Sequence, residues 1–117
     1  MPRFVILRHD SLQGVHFDWM FEVGETLKTW SLPKPPTEEA SLDGQRLADH
    51  RRAYLDYEGP VSDGRGDVTR WDCGDYTLLR EGDDVWTVLI AGKKLRGRAE
   101  LQRVHDDRWR ATFLSGE

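Results

Sequence analysis

Polar and apolar residues alternate most cleanly between His16 and Glu22. In an extended chain His16, Asp18, Met20 and Glu22 fall on one face and Phe17, Trp19 and Phe21 on the other, because successive strand side chains point to opposite sides. One face is core material; the other carries an imidazole, two carboxylates and a thioether. The neighbouring segments also read as strands. Phe4-Val5-Ile6-Leu7, inside residues 3–9, is a β-branched and aromatic run typical of a buried strand. Residues 10–14 supply turn chemistry, and Gly24-Glu25 ends the second strand, residues 16–23, in hairpin fashion. Residues 26–32 form a third strand, stopped by Pro33-Lys34-Pro35-Pro36, which cannot continue a ladder.

The second half repeats this reading at shorter intervals. Strands are expected at 67–71, 76–80, 85–90, 97–104 and 108–113, with Gly/Asp turns at 73–75, 81–84, 91–94 and 105–107. Residues 38–57 are the exception. Good helix formers over 46–54 predict one short helix there. The pattern is therefore all-β with one short helix, about eight strands in all. A small closed β-barrel is the economical architecture, since closure removes exposed edges.

Length and composition narrow this further. At 117 residues the chain is expected to be a single domain over 1–117. A 32% charged fraction with aromatics recurring along most of the length points to a folded, soluble surface rather than disorder. No run approaches the roughly 18 apolar residues of a membrane span, and the apolar run near the start is too short for a signal peptide. A single cysteine, Cys73, rules out an intrachain disulfide and suits a reducing cytoplasm, where it is a bystander. Net charge of −4 argues against a protein that coats nucleic acid indiscriminately, yet leaves room for a local basic groove among Lys28, Lys34, Arg46, Arg51, Arg52, Arg65 and Arg70.

The candidate chemistry lies in the first half. Imidazole ligands suit divalent metals from Mn²⁺ to Zn²⁺, and an adjacent carboxylate favours the harder Mn²⁺ end. His16 and Asp18, two apart on one strand face, would cost roughly 2–7 kcal/mol or more to bury unpaired. They are satisfied either by each other or by a metal. His50 and Tyr54, four apart, would share a helical face, as a site pair or as a surface pair. His105, in an Asp-Asp turn, reads as exposed. Trp30, beside Pro33-Lys34, is the tryptophan nearest a prospective groove.

Eight segments in order resemble the 3′-phosphoesterase domain of bacterial DNA ligase D. They are residues 3–10 ending in His9-Asp10, then His16-Phe17-Asp18 with Glu22, then residues 27–34 (Leu-Lys-Thr-Trp-Ser-Leu-Pro-Lys). Arg46-Leu47-Ala48 and His50 with Tyr54 follow, then Tyr57-Glu58-Gly59, and finally residues 68–74 and 92–98. The resemblance implies a small β-barrel that uses Mn²⁺, or another divalent metal, to trim a 3′-ribonucleotide or 3′-phosphate from DNA or DNA–RNA ends in strand-break repair. By this resemblance His9, His16 and Asp18 would hold the metal, with Glu22 and Asp10 as supporting carboxylates. His50 and Tyr54 would contact the scissile phosphate, and Lys34 and Arg46 would line the groove. Other end-joining repair proteins would be possible partners; a membrane would not.

Two departures qualify what the resemblance implies. Met20 stands where the family has a phosphate-binding arginine, and a thioether cannot replace a guanidinium. Arg51, Arg52 and Arg65 are the candidates to substitute for it. The His9–His16 interval is one residue longer than usual, which predicts a bulged turn. Beside the phosphoesterase reading stand a DNA-end-binding or repair-partner module that has lost turnover, and a hydrolase for another phosphate ester.

Overall fold

A computed structural model describes residues 1–37 and 41–116. Eight antiparallel strands form a closed ring. In chain order they begin with β1 (Arg3–Ser11), β2 (Gly14–Val23), β3 (Thr26–Leu32) and β4 (Leu42–Arg51). A two-residue strand, β5 (Gly59–Pro60), lies outside the ring, and β6 (Asp67–Glu81), β7 (Val85–Gly92), β8 (Arg96–His105) and β9 (Arg108–Ser115) complete it. The hydrogen-bonded order is β1-β2-β3-β4-β9-β8-β7-β6, and a β1–β6 pairing closes the barrel, with β5 attached to β6.

Two long strands make closure possible by each serving two neighbours. The first half of β4 pairs with β9 and its second half with β3, across Leu42↔Ala111 and Thr26↔Arg51 respectively. β6 pairs with β1 over Arg3↔Asp75 to Asp10↔Asp67, then with β7 over Gly74↔Gly92 to Glu81↔Trp86. The expected turn at 73–75 is thus a crossing point inside one fifteen-residue strand. Gly74 marks it because a Cβ there would lie 2.0 Å from the Ala91 carbonyl oxygen, so the glycine allows close backbone approach instead of reversing the chain.

The short helix expected over 46–54 is not formed. Residues 42–51 are strand β4, followed by single 3₁₀ turns at Arg52–Leu55 and Ser62–Gly64. Local helix propensity loses here because β3 and β9 would otherwise both be left with open edges. The first residues of the expected helical stretch, 38–40, lie outside the described residues.

The barrel interior is a continuous cluster in which Phe4, Trp19, Phe21, Trp30, Tyr76 and Trp86 pack together. Phe21 sits at its centre, with ring centroids 5.2–5.9 Å from Trp19, Trp30, Tyr76 and Trp86. A second, smaller core lies on the outer face of β1–β2–β3. There Val5, Leu7, Met20 and Leu27 are covered by Leu55 and flanked by Val68 of β6. The strand alternation read from 16–22 is therefore real, but its polar face looks out of the barrel and under a cover formed by residues 52–66. Among the described residues no helix is long and apolar enough to cross a membrane.

Candidate metal centre and cleft

One tight hairpin assembles the three candidate metal ligands. Ser11 pairs with Gly14 across the two-residue connection Leu12-Gln13, and His9 lies directly opposite His16. The register runs without a shift from Phe4↔Phe21 to Ser11↔Gly14, so the bulged turn expected from the longer His9–His16 interval is absent. The irregularity in β1 falls between Ile6 and Leu7, against β6. Asp18 pairs with Leu7, two residues along β1 from His9, and projects to the same face. Donor atoms of His9, His16 and Asp18 all lie within 4.8 Å of one another.

The hydrogen bonds define the protonation of this trio. His9 Nε2 lies 2.6 Å from the Arg65 carbonyl oxygen. An acceptor there requires Nε2–H, which leaves the lone pair on Nδ1. That Nδ1 is 3.2 Å from His16 Nε2 and 4.0 Å from Asp18 Oδ2. His16 Nε2 in turn approaches Asp18 Oδ1 at 3.3 Å. This contact with the carboxylate raises the His16 pKa above its ordinary 6.5, with burial opposing it. The contact is nevertheless too bent to satisfy Oδ1, which is buried and without a hydrogen-bond donor among the described residues.

These donors fit a cation. Bonds of about 2.1 Å to a shared ion place neighbouring ligand atoms roughly 3.0–3.4 Å apart. Two of the three separations fall in that range, and the third exceeds it by a distance that side-chain rotation covers. The orphaned Asp18 oxygen is the group such a cation would satisfy. The bond from His9 to the Arg65 carbonyl fixes the imidazole's tautomer and orientation, as such an outer contact would for a ligand histidine.

A cleft of about 290 Å³ opens beside the trio, lined by His9, Asp18, His50, Arg51, Tyr54 and Arg65, with Met20 also in its wall. His50, near the end of β4, has Nδ1 2.9 Å from the Ala48 carbonyl oxygen, so Nδ1–H donates and Nε2 remains available. Tyr54, in the following 3₁₀ turn, sets its ring edge-on to His50 with centroids 5.9 Å apart. The pair expected to share a helical face therefore meets across a strand end instead. Arg65 is braced by an Nε–H bond to the Ser62 carbonyl oxygen at 2.8 Å, which leaves its terminal nitrogens without partners among the described residues. Gly66 lets this loop press on β1, since a Cβ there would lie 1.9 Å from the Asp10 carbonyl oxygen.

Several residues expected at the site stand elsewhere. Glu22 lies four residues, about 13 Å, beyond Asp18 along the strand. It accepts bonds from the Arg3 N–H at 3.0 Å and from Arg52 Nε at 2.7 Å. Burial pushes the Glu22 carboxyl up, but these donors outweigh it and hold its pKa below 4.5. Glu22 and Arg52 thus hold each other and neither lines the cleft. Asp10 pairs with Arg8 at 3.1 Å. Lys34 is exposed in the turn after β3. Arg46 stacks over Trp30, 4.9 Å from its ring centroid, and pairs with Asp49 at 3.3 Å. Beside it Lys28 lies 4.6 Å from the Trp86 ring centroid. Trp30 is accordingly an interior residue capped by cations, fully removed from solvent.

Sequence reasoning did not find two contributors. The Arg65 carbonyl is a backbone group and leaves no mark in the side-chain pattern. Asp72 is buried and accepts the backbone N–H groups of Cys73, Lys93 and Lys94 on Oδ1 and of Leu95 on Oδ2, at 2.8–3.0 Å. It ties the segments 68–74 and 92–98 together.

Two comparisons with known proteins point to one family. The DNA ligase D 3′-phosphoesterase domain matches residues 7–103. The multifunctional non-homologous end joining protein LigD of Pseudomonas aeruginosa is 36% identical over 115 residues, covering 88% of this chain. The match covers 13% of that much longer protein.

Proposed function

This chain belongs to the DNA ligase D 3′-phosphoesterase domain family, and from that membership we propose that it is a divalent-metal phosphoesterase acting on the 3′ ends of DNA or DNA–RNA strands. The observation that carries the proposal is the convergence of His9, His16 and the unsatisfied Asp18 oxygen at the edge of a cleft that also holds His50, Arg51, Tyr54 and Arg65. The substrate would be a 3′-ribonucleotide or 3′-phosphate terminus and the preferred metal Mn²⁺, since two imidazoles and one carboxylate form a donor set of intermediate hardness.

A divalent cation held by His9 Nδ1, His16 and Asp18 would polarise a phosphoryl oxygen and lower the pKa of a water molecule. The remaining roles fall to the chain's own groups. Arg51 and Arg65 bring positive charge to the cleft and bind the phosphate, offsetting the charge that builds up during displacement. His50, with Nδ1–H fixed on the Ala48 carbonyl, offers Nε2 to the leaving oxygen and, when protonated, donates a proton there. Tyr54 holds the imidazole ring edge-on and presents its hydroxyl to the same cleft. The Arg65 carbonyl keeps His9 in the tautomer that exposes Nδ1. The Pseudomonas relative, a non-homologous end joining protein, supports a setting in end joining, with other repair proteins as partners.

One observation favours a second reading, in which the protein binds ends without processing them. Met20 is buried among Val5, Leu7 and Leu27 and brings no charge to the phosphate. A single assay separates the two. Purified protein with Mn²⁺ is incubated with a labelled primer–template carrying a 3′-ribonucleotide or 3′-phosphate, beside His16→Ala and Asp18→Ala variants. Trimming by the wild type and not by the variants supports the phosphoesterase. Binding without trimming supports the end-binding module.

A further inference from the structure

A second cavity of about 180 Å³ adjoins the metal cleft, and the two share Arg51 and Tyr54 as a common wall. Its far side is made by Tyr57 and Pro60. The Tyr57 ring stands edge-on to Tyr54 with centroids 5.7 Å apart, so His50, Tyr54 and Tyr57 form one row of rings leading out of the cleft. Tyr57 is partly exposed but not loose. Its hydroxyl donates to the Pro60 carbonyl oxygen, and Gly59, at φ 139°, makes the turn that brings that carbonyl back to it. An exposed aromatic ring, held still by its own hydroxyl, is a wall ready to receive a flat partner.

Arg51 supplies the second half of the argument. It stands where the two cavities meet and has no hydrogen-bond or ion-pair partner among the described residues, whereas its neighbour Arg52 is committed to Glu22. An unpaired guanidinium between a metal-competent trio and an aromatic slot suits a ligand with an anionic group in the first space and a ring in the second.

We infer that this second cavity is a subsite for the nucleoside on the 3′ side of the scissile phosphate, whose base stacks on Tyr57 while Arg51 bridges to the phosphate. The inference rests on the phosphoesterase reading and makes it more specific. Substrates that end in a nucleoside fill the subsite, and those that end in a bare 3′-phosphate leave it empty. Tyr57 and Arg51 therefore contribute to the first kind of end and Tyr57 contributes nothing to the second. Stacking is indifferent to base identity, so all four terminal ribonucleotides should be accepted.

The test uses the whole chain with Mn²⁺ and two primers identical except for their ends, one a 3′-ribonucleotide and one a 3′-phosphate. Tyr57→Ala should raise KM about tenfold for the ribonucleotide end, equivalent to ~1.4 kcal/mol, and leave the 3′-phosphate end unchanged. Tyr57→Phe, which keeps the ring but releases it from the Pro60 carbonyl, should raise KM for the ribonucleotide end by less than Tyr57→Ala does and leave the 3′-phosphate end unchanged. An unchanged KM in Tyr57→Ala, or an equal change on both primers, overturns the subsite. Metal-free binding of the same primers by fluorescence anisotropy separates this from failure of the broader reading. A wild type that cleaves neither primer but prefers the ribonucleotide end, through Tyr57, retains the subsite and loses the esterase. No such preference refutes the subsite whatever the activity.

Discussion

Replacing Asp18 with alanine should change stability in opposite directions with and without a divalent cation. In the metal-free protein the Asp18 carboxylate is buried and its Oδ1 has no donor. An unsatisfied buried acceptor costs about 1–3 kcal/mol. Removing it leaves space that opens on the cleft, where water enters, so the packing loss is small. Metal-free Asp18→Ala should therefore be more stable than wild type by about 1 kcal/mol. The measurement belongs near pH 8.5, about two units above the free imidazole value. The His16 pKa is raised by Asp18. The stabilisation from that pair is complete below 6.5 and disappears as pH rises through the folded value. Below about pH 6 the variant forfeits it, and its advantage shrinks or reverses. With a cation at about 100 times its Kd, the wild type gains roughly 2.7 kcal/mol. For a chain of this size that is close to 10 °C in Tm, at about 4 °C per kcal/mol. Tryptophan-fluorescence melts in chelator and in Mn²⁺ should then rank the two proteins in opposite orders. Equal metal shifts in both would refute the ligand assignment. A variant destabilised by several kcal/mol in chelator at alkaline pH would refute the claim that the carboxylate is unsatisfied.

Other consequences are open to simple measurement. Asp72→Ala removes the acceptor of four backbone N–H groups, of which that of Lys93 keeps a second acceptor, the Cys73 carbonyl oxygen at 3.2 Å. It should cost about 3 kcal/mol in urea unfolding, whereas the loss of an ordinary surface carboxylate costs less than about 0.5. Gly74→Ala drives a methyl group into the Ala91 carbonyl where β6 passes from β1 to β7, and should lower stability by more than about 2 kcal/mol with no change in metal binding. Glu22→Gln removes a carboxylate whose pKa is depressed in the fold. The wild type should lose that increment as pH falls from about 4.5 through the folded value, and the variant should show a flatter acid limb. Long-range ¹⁵N–¹H spectra of the metal-free protein should report His9 as the Nε2–H tautomer, and an Nδ1–H signal would contradict the bond to the Arg65 carbonyl.

What could be read from the sequence follows from how local each feature is. The β1–β2–β3 meander was legible because alternation, turn residues and proline punctuation are all local, and β3 occupies the expected residues 26–32. The helix expected over 46–54 failed because only the distant edges of β3 and β9 make residues 42–51 a strand. Merging the two strands expected on either side of 73–75 into β6 offset the strand gained at β4, so the count of eight held while two members changed. At the site, His16 and Asp18 were paired by strand alternation, whereas His9 joined them only through the family resemblance, and the β1–β2 hairpin places all three together. Glu22 shares their strand face yet lies too far along it, a distance that alternation alone does not register. Arg46 was displaced from the groove by its interior position over Trp30, and the Arg65 carbonyl carries no side-chain signature.

The metal-competent trio lies on the exterior of a wall whose other side is already filled by tightly fitted rings. Interior packing and the candidate chemistry thus draw on alternate residues of the same two strands, while Leu7 and Met20 on the outer face also belong to the second core. Evolution or an engineer can rewrite His9, His16 or Asp18 while the ring-filled interior keeps its shape, provided Leu55 still covers the apolar residues beneath it. The same independence implies that a chain of this kind can survive long after its chemistry has been exchanged or lost.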